Sequence, residues 1–144
     1  MAALTDIIDP DLLAEIPQDG VVGLDIGSTT GKAVLISGGE YFTAITPTGV
    51  YPQPTADKLM KKLFEQSGRS FADVRYITGT GYGRISLDFE NVQHKIVTEI
   101  SCHAMGAHFL NRNTKTIVDI GGQDSKAIKL DAHNGKVVDF VMND

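Results

Sequence analysis

The stretch Gly23-Leu-Asp-Ile-Gly-Ser-Thr-Thr-Gly-Lys32 decides the fold of this chain, because its pattern returns near the other end as Asp119-Ile-Gly-Gly-Gln-Asp-Ser-Lys126. In both copies an apolar strand leads to an aspartate, and a glycine turn rich in hydroxyl or amide side chains follows. A lysine comes seven positions after each aspartate. The repeat indicates a chain built around two phosphate-binding turns.

The first copy has the side chains that a phosphate and its metal ion require. A strand that enters a glycine turn lets backbone N–H groups converge on an anion. The candidate phosphate-binding residues are Gly27, Ser28, Thr29, Thr30 and Lys32. Bare phosphate would repel the carboxylate of Asp25, so its position predicts Mg²⁺, or a metal-bound water, between the two.

The second copy predicts the same chemistry, with Asp119 as the candidate Mg²⁺ residue. Its candidate phosphate-binding residues are Gly121, Gly122 and Gln123. Gln123 or Asp124 could orient an attacking water. Two such turns facing each other would hold a polyphosphate and its metal from both sides, as phosphoryl transfer requires.

Two alternatives stay open for these glycine-rich stretches. Each copy could be an ordinary hairpin turn, where Gly, Ser, Thr and Asp are common, although the identical spacing of two copies favours the phosphate site. Neither copy is a P-loop, because an alanine follows Lys32 and Lys126. The stretch 79–84 is either a tight turn or a lining of the site, with Arg84 available for an anion.

Composition bounds the class of protein. At 144 residues and 42% hydrophobic content the chain can bury one core. The net charge of −5, with no Lys/Arg cluster, argues against nucleic acid or an anionic membrane as a partner. The single cysteine, Cys102, excludes an internal disulfide and suits a reducing compartment. No apolar run reaches the length of a membrane span, so we expect a cytoplasmic protein.

Apolar periodicity predicts an α/β fold with a mixed sheet. We expect a three-stranded antiparallel meander, crossover helices and the start of a second meander. The expected strands are 21–26, 32–36, 41–46, 74–78, 116–120, 126–130 and 136–141, and the expected helices run from Thr55 to near Gly68 and over 98–110. Thr55 is the expected cap of the first helix, and Met105 is among the expected buried residues of the second. Residues 1–20 are expected to be an N-terminal extension in which Pro10 opens a short helix. Residues 21–144 are the expected domain, with His94 in a loop.

One possible metal site is rejected at this stage. Cys102, His103 and His108 lie on one expected helix, where adjacent residues diverge and five positions is a poor match to one face. We therefore expect Cys102 to be a buried helix residue and these three side chains not to form a metal centre.

Four stretches carry a resemblance to a known family. They are Gly23-Leu-Asp-Ile-Gly-Ser-Thr-Thr30, Thr80-Gly-Tyr-Gly-Arg84, Glu99-Ile-Ser-Cys-His-Ala-Met-Gly-Ala107, and Val118-Asp-Ile-Gly-Gly-Gln-Asp-Ser-Lys126 with Asp139-Phe-Val-Met-Asn-Asp144. They resemble the ATPases that comprise activators of 2-hydroxyacyl-CoA dehydratases and ATPase subunits of benzoyl-CoA reductase. This family is part of the superfamily of acetate and sugar kinases, heat-shock chaperones and actin. The resemblance implies the first lobe of an actin-like (ribonuclease H-like) ATPase.

The resemblance also implies a function for a longer parent protein. That protein would be a homodimer with one [4Fe-4S] cluster that uses ATP and Mg²⁺ to deliver a low-potential electron to a CoA-thioester dehydratase or reductase. The family's cluster cysteines lie beyond the stretch that ends here, so no iron–sulfur ligand is expected in this chain. We expect the isolated fragment, truncated before those cysteines and the second lobe, to be inactive.

Two other classes of protein use the same turns. A small-molecule kinase, such as an amino-sugar kinase, needs a sugar pocket and no iron. A non-catalytic, actin-like nucleotide-binding protein needs neither. Cysteines and iron–sulfur absorbance of the parent protein would favour the activator.

Overall fold

A computed structural model describes residues 2–16, 19–81, 86–89, 91–121 and 124–143. The chain divides into two compact units, Met1–Val97 and Thr98–Asp144. No helix in the described part of the chain is long and apolar enough to cross a membrane. Each unit contains one copy of the repeated turn.

The described residues of the first unit form a six-stranded mixed sheet and one α-helix. The strands are β1 (Ala2–Ala3), β2 (Gly20–Ile26), β3 (Thr30–Ser37), β4 (Glu40–Pro47), β5 (Val74–Gly81) and β6 (Gln93–Ile96), and the helix is α1 (Pro52–Ser67). The strand order is β1-β4-β3-β2-β5-β6. Strands β2, β3 and β4 form the expected antiparallel meander, whereas β5 is parallel to β2 and to β6.

Alternation along β2 separates the core from the candidate site. Val22, Leu24 and Ile26 are buried in one cluster with residues of α1 such as Leu59. Because successive side chains of a strand point to opposite faces, Asp25 lies on the face of the sheet away from that cluster. The two-residue alternation of the strand therefore places the Asp25 carboxylate on the face of the sheet opposite the core.

Helix α1 begins earlier than the sequence predicts. It starts at Pro52, so the expectation that Thr55 caps it is wrong, and the cap residue Tyr51 makes no side-chain capping bond. Two prolines suit the first turn, since their missing N–H groups would be unpaired there. Thr55 Oγ1 instead accepts a hydrogen bond from Gly49 N–H at 3.0 Å. The end at Gly68 is as expected, with φ at 71°.

The N-terminal residues add to the sheet. Strand β1 pairs with β4 and forms one edge of the sheet, and Leu4 and Ile8 are buried. Pro10–Glu15 forms a 3-10 helix in which Asp9 accepts a hydrogen bond from Asp11 N–H. The short helix near Pro10 is therefore as expected, while the domain boundary at residue 20 stays a prediction.

Strand β6 was not predicted from the sequence, and β5 is longer than predicted. Strand β5 continues to Gly81, so residues 79–81 are strand and not the expected turn, and Arg84 lies outside the described residues. His94, expected in a loop, belongs to β6. Its Nε2 atom lies 3.7 Å from Asp88 Oδ1. Short strands at a sheet edge carry too few residues for a clear alternation.

The second unit is a helix with a three-stranded antiparallel sheet, in the part of it that the structure describes. Helix α2 is Glu99–Leu110, and the strands are β7 (Thr116–Ile120), β8 (Ser125–Leu130) and β9 (Val137–Asn143). The expected elements are present, and Thr98 caps α2 by accepting a hydrogen bond from Ser101 N–H. Met105, expected to be buried, is exposed, and the buried residues of α2 are Ala104 and His108.

Candidate functional site

The first turn, residues 27–30, closes the hairpin of β2 and β3. Gly27 N–H donates to Thr30 O at 3.0 Å, and a Cβ atom at position 27 would lie only 3.0 Å from that oxygen. Asp25 and Lys32 are direct partners across the antiparallel ladder. The seven-residue spacing thus places carboxylate and ammonium side by side on one face of the sheet.

The loop after β4 holds this turn in place. Thr48 Oγ1 donates to Gly27 O at 2.7 Å, and Thr48 N–H donates to Thr29 O at 3.0 Å. Two bonds from one residue fix the carbonyl groups on either side of Ser28. The turn is therefore anchored before any ligand binds.

An anion can bind only to those polar groups of the first turn that do not take part in the hydrogen bond that closes the hairpin. Gly27 N–H is consumed by the hairpin bond, so it is not a free phosphate donor. No described residue accepts a hydrogen bond from the N–H of Ser28 or Thr29, and both residues are exposed. Lys32 is 48% exposed, with Nζ 4.0 Å from Asp25 Oδ2 and 3.2 Å from Thr30 O. These N–H, hydroxyl and ammonium groups suit a phosphate.

The second turn, residues 121–124, repeats the closure. Gly121 N–H donates to Asp124 O at 2.9 Å, and Asp119 and Lys126 are direct partners across the ladder of β7 and β8. Gly122 and Gln123 lie outside the described residues. The hairpin geometry of the first turn is thus found again at the residues that can be compared.

The charged groups of the second turn are bound to one another. Lys126 Nζ donates to Asp124 Oδ1 at 2.6 Å and lies 3.8 Å from Asp119 Oδ2, and its side chain is only 8% exposed. The hydrogen bond to Asp124 raises the pKa of Lys126, against the opposing effect of burial. The ammonium therefore stays charged at neutral pH and offsets part of the negative charge of the two carboxylates.

Helix α2 contributes a residue that the sequence interpretation set aside. His103 Nδ1 lies 3.1 Å from Asp119 Oδ2. The sequence argued against a metal centre on this helix and did not predict the contact between His103 and Asp119. His103 does lie within one of the four stretches that resemble the family. Thr48 and Thr80 were also missed as candidate residues. Nothing in the local sequence marks Thr48, since its role depends on the return of the chain to the turn.

The residues fit Mg²⁺ better than they fit an iron–sulfur cluster. Asp25 Oδ1 is buried and has no hydrogen-bond partner among the described residues, which leaves it available to a cation or its water. The described ranges contain no group of three or more His, Cys, Asp or Glu residues that could hold a metal alone, but Mg²⁺ beside phosphates needs only one or two carboxylates. A [4Fe-4S] cluster needs several thiolates, and the chain has one cysteine.

Comparison with known proteins supports the resemblance. The sequence model of the BadF/BadG/BcrA/BcrD ATPase family matches residues 22–144. Among curated proteins, the 2-hydroxyisocaproyl-CoA dehydratase activator of Clostridioides difficile is 40% identical over 124 residues, which are 85% of this chain and 45% of that protein. The activator of lactoyl-CoA dehydratase of Anaerotignum propionicum is 40% identical over 124 residues, 85% of this chain and 46% of that protein.

A solved structure supports the fold. The activator of the 2-hydroxyisocaproyl-CoA dehydratase from Clostridium difficile, with bound ADPNP, is similar at a TM-score of 0.72 and 35% identity, over 87% of this chain and 46% of that one. The expected actin-like ATPase fold is confirmed. The chain spans about half the length of these relatives.

Proposed function

The chain belongs to the BadF/BadG/BcrA/BcrD ATPase family, and we propose that it forms the phosphate-binding part of an ATP-hydrolysing activator of a 2-hydroxyacyl-CoA dehydratase. The names of the curated relatives favour a 2-hydroxyacyl-CoA dehydratase as the partner over an aromatic CoA reductase. A cytoplasmic location stays a prediction.

The observation that carries this proposal is the repeated hairpin. In each unit a strand places an aspartate opposite a lysine, and a glycine turn closed by the same N–H to C=O bond follows. An ordinary hairpin needs no buried carboxylate oxygen without a partner, yet Asp25 Oδ1 is one among the described residues. A bound cation would relieve that cost.

The proposed roles follow from the free groups of each turn. Ser28 and Thr29 bind phosphate through N–H and hydroxyl groups, with Thr30 and Gly27 shaping the turn and Lys32 supplying charge. Asp25 in the first turn and Asp119 in the second are each proposed as a Mg²⁺ residue, acting directly or through water, and the ion would neutralise phosphate charge when bound.

In the second turn, Gly121, Gly122 and Gln123 take the phosphate role. Gln123 or Asp124 orients the attacking water. Oδ1 of Asp124 already accepts a hydrogen bond from Lys126, which would hold this carboxylate in a fixed orientation for that task.

The electron-transfer part of the proposal rests on family resemblance. A homodimer with a [4Fe-4S] cluster would need cysteines from outside this sequence, because Cys102 is its single cysteine. The residues of this chain do not fit a cluster, so their proposed work is confined to nucleotide and Mg²⁺.

The test uses the complete natural protein that carries this sequence, purified without oxygen. We expect ATP hydrolysis and ATP-dependent activation of a 2-hydroxyacyl-CoA dehydratase. Asp25→Ala should lower hydrolysis by about 10²–10³-fold, as expected for loss of a preorganised charge-stabilising group. Lys58→Ala, at an exposed position of α1, serves as control.

Each other outcome points to a different protein. Unchanged hydrolysis in Asp25→Ala would refute the proposal. ADP formation that depends on a sugar would identify a kinase, and nucleotide binding without hydrolysis would identify a non-catalytic actin-like protein. Activation of an aromatic CoA reductase alone would change the partner and leave the site assignment intact.

A further inference from the structure

Two buried oxygen atoms in the first unit have no hydrogen-bond partner among the described residues: Asp25 Oδ1 and Thr80 Oγ1. Their residues are direct partners on the parallel strands β2 and β5. Thr80 is only 6% exposed. An unpaired buried polar atom costs free energy, so two such atoms on neighbouring strands call for a shared cause.

The register places both side chains on the same face of the sheet. Adjacent strands lie about 4.8 Å apart, and partners across a ladder point the same way. Asp25 also pairs with Lys32 on β3, the strand that flanks β2 on its other edge. Lys32, Asp25 and Thr80 therefore form one row across three strands. The row lies at the end of β2 that leads into the first turn.

The two oxygens of the Asp25 carboxylate have different surroundings. Oδ2 faces the ammonium of Lys32 at 4.0 Å, whereas Oδ1 is the buried atom without a partner. The Thr80 hydroxyl could donate to a carboxylate, but no such bond joins it to Asp25. The pair is therefore left with one acceptor-only oxygen and one hydroxyl oxygen, and no described residue forms a hydrogen bond with either.

The backbone brings β5 close to the turn at this point. A Cβ atom at Gly81 would lie 2.3 Å from Ile26 O, so only glycine lets the two strand ends approach as they do. Gly81 directly follows Thr80. The close approach brings the end of β5, where Thr80 pairs with Asp25, against the end of β2, and it gives this glycine a packing reason.

We propose that Thr80 is a positioning residue for the divalent cation of the first turn, its hydroxyl and Asp25 Oδ1 together holding hydrated Mg²⁺. Mg²⁺ retains several waters and binds through one or two carboxylates, and a Ser or Thr hydroxyl is a known companion ligand in phosphate sites. The inference rests on the proposed function, because it assigns Thr80 to the same cation.

Two substitutions at Thr80 separate the hydroxyl from the shape of the side chain. Thr80→Val keeps the shape and removes the hydroxyl, and Thr80→Ser keeps the hydroxyl. Thr78→Val is the matched control, since Thr78 lies on the same strand and face, opposite Gly23. In the complete natural protein, calorimetry measures binding of ADP with Mg²⁺ and with EDTA, and thermal unfolding is followed without either ligand.

We expect Thr80→Val to weaken Mg²⁺-dependent ADP binding about tenfold, as loss of a supporting polar group does at metal sites. Binding in EDTA should not change. The unfolding temperature without Mg²⁺ should stay the same or rise, because the lost hydroxyl had no partner. Thr80→Ser and Thr78→Val should behave like the wild type.

Three results would overturn the inference while the proposed function stands. They are unchanged Mg²⁺-dependent binding in Thr80→Val, equal weakening in Thr80→Val and Thr80→Ser, and a lower unfolding temperature of Thr80→Val without Mg²⁺. If the wild-type protein binds no ADP with Mg²⁺, the proposed function fails and the role of Thr80 fails with it.

Discussion

The two turns share a spacing and differ in the state of their charges. Lys32 and Lys126 each stand opposite an aspartate, but Lys32 is 48% exposed and Lys126 only 8%. In the first turn Asp25 keeps a buried oxygen free of partners among the described residues. In the second, Asp119 is close to both Lys126 and His103.

This difference shows that the sequence spacing determines where the two charged side chains lie, and that the neighbouring residues determine how those charges are paired. Seven residues bring an aspartate and a lysine to one rung of a hairpin. The surroundings then decide whether the charges are satisfied internally or left for a ligand. On this account the first turn is open to Mg²⁺ and phosphate, and the second has a preassembled network that a ligand would join.

The largest expected effect is the difference in local stability between substitutions of Lys126 and of Lys32. Lys126→Met should lower the free energy of local unfolding of β8 by about 2–3 kcal/mol, because it leaves two partly buried carboxylates without their cation. Lys32→Met should change that of β3 by no more than about 0.5 kcal/mol, since its ion pair is exposed and loose. Hydrogen exchange of the strand amides in the complete protein measures both.

Lys129→Met is the control for the first substitution, because Lys129 is exposed on the same strand as Lys126. Equal effects of Lys126→Met and Lys32→Met would remove the proposed difference between the turns. A loss confined to Lys32→Met would reverse it.

A smaller effect is expected at His103. His103→Ala should reduce ATP hydrolysis about tenfold, as loss of a partner that orients a liganding carboxylate does. His103→Asn should recover most of the rate, because its amide nitrogen can replace Nδ1 beside Asp119. His133→Ala, at an exposed position, is the control. An asparagine variant as slow as the alanine variant would argue against the orienting contact.

The smallest effect is expected at the loop that anchors the first turn. Thr48→Val removes the donor to Gly27 O and should cost about 1 kcal/mol of local stability. Hydrogen exchange of residues 27–30 measures the loss. Thr48→Ser retains the hydroxyl and should restore protection. If the valine variant kept full protection, the turn would be held by its own hairpin bond alone.

The sequence was sufficient for the elements with clear periodicity. The alternation in β2, the meander that follows, and the start of α2 near Thr98 all agree with the structure. The repeat of aspartate, glycine turn and lysine located both hairpins. Local patterns reach this far because strand alternation and caps depend on neighbours in the chain.

The contacts that complete each turn could not be predicted from the sequence. Thr80 pairs with Asp25 only through the parallel register of β5, and Thr48 reaches Gly27 across 21 residues. Helix α1 begins at Pro52 because two prolines suit a first turn, which outweighed Thr55 as a cap. His103 meets Asp119 only when α2 packs on the sheet of the second unit. Each of these depends on tertiary register.

The most direct test asks whether Asp25 acts through Mg²⁺. Calorimetry would compare binding of a non-hydrolysable ATP analogue to the wild-type complete protein and to Asp25→Asn, with Mg²⁺ and with EDTA. We expect Asp25→Asn to bind about 10–100-fold more weakly than the wild type with Mg²⁺, and no more weakly than the wild type in EDTA, because a charge that repels phosphate is gone. Equal affinity of the two proteins with Mg²⁺, or the same weakening under both conditions, would contradict this expectation.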